Sequence, residues 1–381
     1  MNLHNEWCNS CRLCMILEYI VGFNCGIIGL PNVGKSTIFN ALSSAEAEMA
    51  NYPFCTIEPN RGIVPVPDER LFSIADVLKK ENPIQTRIEF IDVAGLVRGA
   101  SKGEGLGNKF LGHIRDVEAI VHVVRCFQAS DVVHISGEVD PLGDVEIVRT
   151  ELMLADLEIL EKAHGKLINT ARSGDTDAKA RISVIEGCLE HLNGGQPLKT
   201  LELAQDAQNL LREYGLITYK PVLYCANIDE ENSYQDRVKK LESYAGEENS
   251  ACISIIGKLE EEISELPSEE KQEFLQGMGI EKSGLDRLIH ASHTLLDLIT
   301  YYTAATQLQA WTLRRGTTAL HAAGKIHTDF EHGFIRADVY RYDDLMDAGS
   351  VHGVKESGRF RSEGKDYIIA DGDIVHYHFN L

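Results

Sequence analysis

The stretch Gly29-Leu-Pro-Asn-Val-Gly34-Lys35-Ser36-Thr37 decides the fold, because it reads G-x-x-x-x-G-K-S, the pattern of a phosphate-binding loop. The apolar run before it, residues 25–28, predicts a buried strand, and residues 36–42 after it suit an amphipathic helix. Strand, loop and helix in this order are the context that the motif requires. We therefore predict an α/β fold of the P-loop NTPase class.

The residue types of this loop explain how it would hold phosphate. Gly29 and Gly34 allow the backbone to form turns that are closed to residues with side chains. Successive N–H groups then point inward and form an anion-binding nest at the positive end of the following helix. Lys35 can reach the β- and γ-phosphates, and Ser36 can offer its hydroxyl to Mg²⁺. Lys35 is therefore a candidate catalytic residue and Ser36 a candidate metal ligand.

Length and composition limit the function further. The chain has 381 residues, enough for two or three domains, and a formal net charge of −21. Because an acidic chain repels phosphate, we expect any RNA contact to come from a local basic patch, and we expect no DNA partner. No stretch approaches the run of about 20 apolar residues that spans a bilayer, and no signal-peptide pattern is present. We expect a cytoplasmic protein without a membrane partner.

Cysteine usage indicates reduced thiols, because the nine cysteines are odd in number and most lie in apolar surroundings. The exception is near the start of the chain, where Cys8, Cys11 and Cys14 form part of a metal-site pattern with His4 as a candidate fourth ligand. No fold signal accompanies these cysteines. We expect residues 1–20 to be a disordered extension or sequence upstream of the true start.

Two further motifs follow the phosphate loop at the spacing of nucleotide switches. Thr56 lies in a loop rich in Pro and Asn, where a threonine can contact Mg²⁺ and the γ-phosphate. A predicted strand, residues 87–91, leads to Asp92-Val-Ala-Gly95. The carboxylate of Asp92 can hold the water shell of Mg²⁺, and Gly95 lets an amide approach the γ-phosphate. The joint pattern predicts Mg²⁺ as a cofactor, with nucleotide contacts at Asp92 and Gly95 and a switch at Thr56.

Leu96 follows this motif at the place where many related GTPases carry a glutamine that orients the attacking water. A leucine cannot do so, which means that hydrolysis is slow or that another residue takes part. His113 lies just beyond the glycine-rich loop 98–107, and a histidine can position water or accept its proton. By residue type alone, an ordinary surface histidine on a helix is the simpler interpretation of His113.

From about Asp144 to Leu216 the pattern becomes helical and highly charged. Apolar residues at helical spacing predict a first helix from residue 144 onward, a second over 178–192 and a third over 198–214. The segment is too charged to be a separate core domain. We predict an inserted helical arm of the antiparallel coiled-coil kind, residues 144–216.

The buried-strand pattern resumes at residues 221–226 and ends in Asn227-Ile-Asp-Glu230. GTPases carry N-K-x-D at this place, and its Asp accepts hydrogen bonds from guanine. Here Ile228 replaces the Lys and Glu230 replaces the Asp, and a buried acceptor that loses its donor costs about 1–3 kcal/mol. The guanine code is therefore broken, and we predict adenine as the better base, with Asn227, Ile228 and Glu230 at the base site.

The last part of the chain alternates strand-like stretches with a short helix near Gly324, which predicts a small α+β unit. The predicted strands are residues 309–313, 333–339, 366–369 and 373–379. The whole chain then divides into an extension (1–20), a P-loop G domain in two parts (21–143 and 217–297), the helical arm (144–216) and a C-terminal domain (298–381).

Six motifs point to one family when they are taken together. They are Gly-Leu-Pro-Asn-Val-Gly-Lys-Ser, Asn-Tyr-Pro-Phe-Cys-Thr-Ile-Glu-Pro-Asn, Val-Pro-Val-Pro-Asp-Glu-Arg, Asp-Val-Ala-Gly-Leu-Val-Arg-Gly-Ala, Ala-Ala-Gly-Lys-Ile-His-Thr-Asp-Phe and Gly-Lys-Asp-Tyr-Ile. From residue 21 to the end, the chain resembles the YchF/Obg-like ATPase family, a branch of the Obg-related translation-factor GTPases. The family begins at a sequence similar to Val21-Gly-Phe-Asn-Cys-Gly, so we expect Met1–Ile20 to be a start-site artefact.

The resemblance implies a C-terminal TGS domain of ubiquitin-like fold and a preference for ATP over GTP. It implies Mg²⁺ on Ser36 and Thr56, a hydrophobic replacement of the catalytic glutamine at Leu96, and a catalytic role for His113. Asn32 resembles the asparagine that coordinates K⁺ in cation-activated relatives. The nucleotide would be gripped by Asn32, Val33, Gly34, Lys35, Ser36 and Thr37.

Family members associate with ribosomes and influence translation and stress responses, so the resemblance implies a ribosome-associated ATPase switch. We expect contact with the large subunit or the subunit interface, and a monomer. Two alternatives stay open from the sequence: an Obg-type GTPase, and a ribosome- or RNA-binding module whose hydrolysis is incidental. A metal sensor using Cys8, Cys11 and Cys14 is a third, weaker alternative.

Overall fold

The computed structural model describes residues 23–47, 60–93, 106–128, 139–172, 175–230 and 234–380. The chain forms two compact units. The smaller unit comprises Phe23, Ile63–Glu89 and residues 296–380, and the larger unit comprises those described residues that fall within 24–62 and 90–295. The sequence analysis had placed residues 63–89 in the P-loop domain, whereas their contacts group them with the C-terminal residues. The predicted extension, residues 1–20, lies outside the described residues.

A six-stranded sheet has the order β2-β3-β1-β4-β5-β6. Strands β1, β4, β5 and β6 pair in parallel, and β4 is buried along its whole length, as is usual for a central strand of an α/β sheet. This is the predicted α/β fold. The strands are β1 (Asn24–Ile28), β2 (Arg61–Pro65), β3 (Arg87–Asp92), β4 (Ala119–Arg125), β5 (Val222–Asn227) and β6 (Ala251–Ile255).

Helices connect these strands. They are α1 (Lys35–Ala47), α2 (Glu69–Leu78), α3 (Leu106–Asp116), α4 (Pro141–Ala171), α5 (Thr176–Asn193), α6 (Gln205–Glu213), α7 (Gln235–Glu247), α8 (Gly257–Ser264), α9 (Ser268–Gly277) and α10 (Gly284–Leu295). Of these, α2 belongs to the smaller unit and the others to the larger unit. None of the helices in the described part of the chain combines the length and the apolar character that a membrane span requires.

The predicted arm is helical, with one correction. Helices α4 and α5 pack against each other around an apolar cluster that includes Leu160, Ala163, Ile185 and Cys188. The predicted third helix, 198–214, is wrong over its first half. Only a short 3₁₀ turn, Leu198–Thr200, forms there, and the chain is then extended until α6 begins.

A proline interrupts the helical stretch over residues 257–277. Pro267 separates α8 from α9, because proline lacks an N–H donor and disfavours the helical conformation of the residue before it. The described cysteines are free thiols, as expected, and Cys25, Cys126, Cys188 and Cys225 are buried.

The smaller unit contains a five-stranded mixed sheet of order β10-β9-β11-β7-β8, in which β7 and β11 pair in parallel. Its elements are β7 (Leu298–Ala304), β8 (Leu308–Arg314), α11 (Ala319–Ile326), α12 (Thr328–His332), β9 (Phe334–Arg341), α13 (Tyr342–Ala348), α14 (Val351–Glu356), β10 (Arg361–Glu363) and β11 (Asp373–Phe379). The predicted strand 366–369 is wrong, since Ile368 makes only an isolated bridge to Thr318. The sequence analysis missed β7 and β10.

Helix α2 is part of the core of this smaller unit. Its Leu71 and Ile74 are fully buried and pack in one cluster with side chains of the five-stranded sheet and of α13 and α14. At the start of the helix, Arg70 Nη1 donates to Asp371 Oδ2 at 2.7 Å. The hydroxyl of Tyr302 in β7 donates to the carboxylate of Asp68, the N-cap residue of α2.

His122 in β4 is buried where the sheet of the larger unit meets the base of the arm. Its side chain is 4% exposed and lies 5.7 Å, ring centre to ring centre, from Tyr224. Burial, together with the nearby Lys199 ammonium, lowers the pKa of His122 from 6.5 to about 4, and Glu248 partly opposes this shift. The native state therefore keeps His122 neutral at a pH where the unfolded chain binds a proton.

We expect the stability of the larger unit to fall between pH 6.5 and pH 4 because of His122. The pKa of His122 is lower in the folded state, so its stabilising contribution is fully present above pH 6.5 and declines as the pH falls toward 4. At pH 5, about 2 kcal/mol of the free energy of unfolding is lost. Urea unfolding at pH 7 and pH 5 measures this loss, and His122→Leu should remove it. His332→Gln, at an exposed histidine, should keep the wild-type pH dependence. An equal loss in wild type and His122→Leu would contradict the prediction.

Candidate functional site

The phosphate-binding loop runs from the end of β1 to the start of α1, as predicted. Its two outer glycines are required for different reasons. Gly34 has φ +87°, in the left-handed region, and a Cβ there would lie 2.1 Å from Asn227 Nδ2. Gly29 has no left-handed φ, which differs from our expectation; a Cβ there would lie 2.7 Å from the carbonyl oxygen of Val123 in β4. Asn32 has φ +64°, which asparagine tolerates better than most residues.

Asn227 at the end of β5 holds the loop in place. Its Nδ2 donates to the carbonyl oxygen of Val33 at 2.9 Å, and its Oδ1 accepts from the Gly257 N–H at 3.0 Å. The Asn227 side chain is buried, so both bonds are protected from water. The sequence analysis assigned Asn227 to the base site. The structure shows that it also joins the phosphate loop to the first residue of α8.

Lys35 and Asp92 meet at the same edge of the sheet. The Lys35 ammonium donates to Asp92 Oδ1 in an ion pair, and the Lys35 side chain is almost completely buried. Ser36 follows in the first turn of α1 with its side chain exposed, and Thr37 is half-buried. The lysine, the carboxylate and the hydroxyl that the sequence predicted for phosphate and metal therefore lie together at the start of α1.

The segment that begins with Asn227 is fixed on both sides. The Ile228 N–H donates to the carbonyl oxygen of Ile255 at 2.9 Å. Asp229 Oδ2 accepts from the Gln128 N–H at 3.1 Å. Glu230 is exposed. The sequence analysis missed this contact of Asp229. The sequence offers only one indication of it, a carboxylate next to the predicted base contact Glu230.

The chain that follows β4 is held against this segment. Arg237 in α7 donates from Nη1 to the carbonyl oxygen of Cys126 at 3.1 Å, and the Cys126 N–H donates to the carbonyl oxygen of Asn227 at 2.9 Å. The region predicted for the base is thus built from the ends of neighbouring strands β4, β5 and β6. Ligands of open α/β sheets bind at such carboxyl ends of strands.

His113 is an exposed residue of α3, and the end of this helix is anchored from a distance. Lys220 Nζ donates to the carbonyl oxygens of Ile114 at 2.9 Å and Arg115 at 2.5 Å, and also to that of Val117. A lysine at this position satisfies the last carbonyls of a helix and complements its dipole. The sequence analysis missed Lys220, which is more than 100 residues from its partners along the chain.

The base of the arm supports Lys220. Asp156 of α4 accepts from the N–H groups of Ile217 at 2.9 Å and Thr218 at 2.7 Å, in the short turn that precedes Lys220. Asp156 is fully buried, and burial raises the pKa of its carboxyl, which these hydrogen bonds partly oppose. Contacts therefore run without a break from α4 through this turn to the end of α3.

Three residues named by the sequence analysis, Thr56, Gly95 and Leu96, lie outside the described residues. So do Cys8, Cys11 and Cys14. Among the residues that the structure describes, no group of three or more His, Cys, Asp or Glu side chains is arranged to hold a metal ion. The roles assigned to the other site residues stay predictions.

The phosphate loop at the start of α1, with Asp92 at the end of β3 and Asn227 at the end of β5, defines a P-loop nucleoside-triphosphatase of the GTPase type. A family model described as "50S ribosome-binding GTPase" matches residues 24–158. The model YchF-GTPase_C, described as a protein of unknown function (DUF933), matches residues 298–380. The chain belongs to the YchF family.

Relatives that match along nearly their whole length support the assignment to this family. The chain is 50% identical to "Ribosome-binding ATPase YchF" of Haemophilus ducreyi over 366 residues, which cover 95% of this chain and 100% of the relative. It is 48% identical to the Bacillus subtilis protein of the same name, over 93% of this chain and 99% of that one. The solved structure of the Schizosaccharomyces pombe YchF GTPase matches with a TM-score of 0.83 at 34% identity, over 93% of this chain and 97% of that chain.

We expect Gly34→Ala to weaken nucleotide binding. The alanine Cβ would overlap Asn227 Nδ2, and the left-handed φ of +87° is strained for alanine, so the loop must move away from Asn227. Calorimetric titration with Mg-ADP should show a loss of affinity of at least about tenfold, corresponding to strain of about 1–2 kcal/mol. Gly165→Ala is the matched control, because a Cβ at this α4 residue meets nothing within 4 Å. Wild-type affinity in Gly34→Ala would contradict the assignment.

Proposed function

We propose that this protein is a Mg²⁺-dependent ATPase that binds ribosomes and acts as a nucleotide switch in translation or the stress response. The observation that carries the proposal is the full-length similarity, at 48–50% identity, to proteins named ribosome-binding ATPase YchF. The phosphate loop and its fixed contacts to the end of β5 give this similarity a physical basis. Because such a partner is found in the cytoplasm, we propose a cytoplasmic location.

The loop residues bind the phosphates in this proposal. The amides of residues 32–37 face the nucleotide at the positive end of α1, which attracts anions. Lys35 already contacts the carboxylate of Asp92, so its ammonium reaches the phosphates by exchanging one anionic partner for another. Because Lys35 is nearly buried, its attraction to phosphate is screened less by water than that of a surface lysine.

The described residues suit Mg²⁺. The ion prefers hard oxygen ligands and usually combines one or two protein oxygens with water and substrate phosphates. Ser36 offers a hydroxyl next to the phosphate loop, and Asp92 offers a carboxylate at the end of β3. We propose that Ser36 and Thr56 ligate Mg²⁺ and that Asp92 holds its water shell. When bound, Mg²⁺ neutralises charge that develops on the transferred phosphate.

Selection of adenine is assigned to the segment that ends β5. Both polar atoms of the Asn227 side chain are already hydrogen-bonded, one to the phosphate loop and one to the start of α8, so discrimination between bases falls mainly to Ile228 and Glu230. Ile228 cannot supply the lysine stem of N-K-x-D, and Glu230 is longer than the Asp that recognises guanine. The hydrogen bond between Asp229 and the Gln128 amide keeps the backbone of this segment in position.

Hydrolysis is attack of water on the γ-phosphate, with Lys35 and the loop amides stabilising the developing charge. Leu96 cannot orient the water, so we assign this role to His113 on α3. Lys220 holds the carbonyls that directly follow His113 along the helix, which limits how far the end of α3 can move. Lys220 is a positioning residue in this proposal and touches neither nucleotide nor water.

The finer assignments from the sequence are also proposals. We assign α4 and α5 to a coiled-coil arm inserted in the G domain (21–143 and 217–297), and the five-stranded unit to a ubiquitin-like TGS domain (298–381). The resemblance further suggests K⁺ at Asn32, binding to the large ribosomal subunit or the subunit interface, and a monomer. Each extends the family assignment to a detail of this chain.

An Obg-type GTPase is the alternative, because the Schizosaccharomyces pombe relative is named a YchF GTPase and the family model over residues 24–158 describes a GTPase. Base selectivity separates the two functions. We expect calorimetry with Mg²⁺ to show that ADP and a non-hydrolysable ATP analogue bind more tightly than GDP by about 5- to 150-fold, the equivalent of one unpaired acceptor. Equal affinities, or tighter binding of GDP, would favour the GTPase.

A second experiment tests His113. We expect His113→Ala to lower kcat for ATP hydrolysis by about 100-fold and to leave the affinity for ADP within about twofold, since positioning water affects the transition state alone. Lys35→Met should weaken both hydrolysis and binding. His332→Ala, at an exposed histidine of the smaller unit, is the control and should keep wild-type kcat. An unchanged kcat in His113→Ala would exclude the assigned role.

A further inference from the structure

The charge of the arm reverses toward its distal end. The proximal part of α4, residues 141–161, carries one Lys or Arg and six Asp or Glu. The distal segment, defined here as residues 162–172 and 175–181, carries five Lys or Arg and two Asp or Glu. The whole chain has a net charge of −21, so the charge of this segment is opposite in sign to that of the chain as a whole.

The structure holds this basic end away from the base of the arm. Helix α4 has 31 residues, which corresponds to a length of about 46 Å, and the distal segment lies in its last third and the first turns of α5. Apolar residues of both helices, among them Ala163, Ile185 and Leu160, pack between them. The Lys and Arg residues of the distal segment therefore lie on a packed pair of helices.

Two of the five cations have acidic partners and three do not. Lys162 pairs with Glu158, and Arg181 pairs with Asp177 and Glu213. Lys166, Arg172 and Lys179 are exposed, and none forms an ion pair with another described residue. These three, which we call the tip cations, offer positive charge that the arm itself does not neutralise.

We propose that the tip cations dock the arm onto the phosphate backbone of RNA. The proposal rests on the proposed ribosome binding and identifies the surface responsible. An acidic body repels RNA, so a contact at the distal end of the arm places the phosphates farther from most of the repelling charge than a contact at its base would. Lysine and arginine at such a surface bind phosphate without reading base sequence.

The chemistry of the distal segment favours RNA over a protein partner. Protein interfaces need a buried apolar or aromatic centre. In the described part of the chain the large apolar side chains that are exposed are Phe72, Leu154, Phe274, Met278, Ile335 and Ile368. None of them lies in the distal segment.

Co-sedimentation with ribosomes and gel-shift titration with a duplex RNA of about 30 base pairs, both between 50 and 200 mM KCl, test the proposal. The test variant is the triple substitution Lys166→Gln, Arg172→Gln and Lys179→Gln. We expect a loss of ribosome and RNA affinity of at least about tenfold at the lowest salt. The slope of log K against log salt should become less steep by about 2–3, the loss of three phosphate contacts.

A matched triple variant with the same change of net charge, Lys239→Gln, Lys240→Gln and Lys325→Gln, is the control. All three of these lysines are exposed. The control should bind ribosomes and RNA within about twofold of wild type. Calorimetry with Mg-ADP should give the wild-type affinity for both variants, which shows that the P-loop unit is folded in each.

Each outcome decides between the proposals. Wild-type affinity and slope in the test variant, or an equal loss in the control, would overturn the tip proposal while ribosome binding stands. A loss on ribosomes with an unchanged salt slope and unchanged RNA binding would mean that the arm contacts a ribosomal protein, which also overturns it. If wild type binds RNA through the tip cations but not ribosomes, the tip proposal stands and ribosome binding fails. Binding to neither overturns both.

Discussion

The Asn227 side chain is the contact on which the position of the phosphate loop depends. One of its polar atoms holds Val33 of the phosphate loop and the other holds the first amide of α8, so a single buried amide fixes two loops that are more than 200 residues apart in the chain. The approach is so close that only glycine fits at position 34. A buried amide with both ends satisfied stabilises the structure modestly, but leaving either end unpaired costs about 1–3 kcal/mol. The phosphate loop and the start of α8 are therefore fixed together.

A second set of buried polar contacts joins the arm to the helix that carries His113. Asp156 at the base of the arm organises the turn at Ile217, and Lys220, directly after that turn, satisfies the end of α3. A buried carboxylate and a half-buried ammonium would each be costly alone, and each is satisfied here by backbone groups. The positions of the Asp156 and Lys220 side chains are fixed, because their backbone partners belong to structured elements. Buried hydrogen bonds thus join the arm to the turn at Ile217 and, through Lys220, to the end of α3.

Local sequence patterns correctly predicted the strands, helices and turns whose formation depends on nearby residues. The phosphate loop, the parallel strands before and after it, and α11 near Gly324 follow from periodicity and turn residues, and the structure has them. What the sequence could not predict are pairings between distant residues, such as Lys220 with the carbonyls after His113. The same limit explains Gly29. Its conformation is ordinary, and the need for glycine comes from a carbonyl of β4, nearly 100 residues away. Periodicity likewise missed the interruption before α6, because Leu201 and Leu203 continue the apolar pattern while packing from extended backbone.

Helix α2 shows that a compact unit of this fold is not one continuous stretch of sequence. A family model covers residues 298–380, yet the core of the smaller unit also contains Leu71 and Ile74 from α2. Each of these side chains is fully buried, and burial of one such side chain stabilises a fold by about 1.5–3 kcal/mol. The contacts of Arg70 with Asp371 add a partly exposed ion pair of small value. A chain beginning at residue 296 would leave the sites of Leu71 and Ile74 open to water. The C-terminal unit is therefore completed by the segment that lies, in sequence, between the predicted switch residue Thr56 and Asp92.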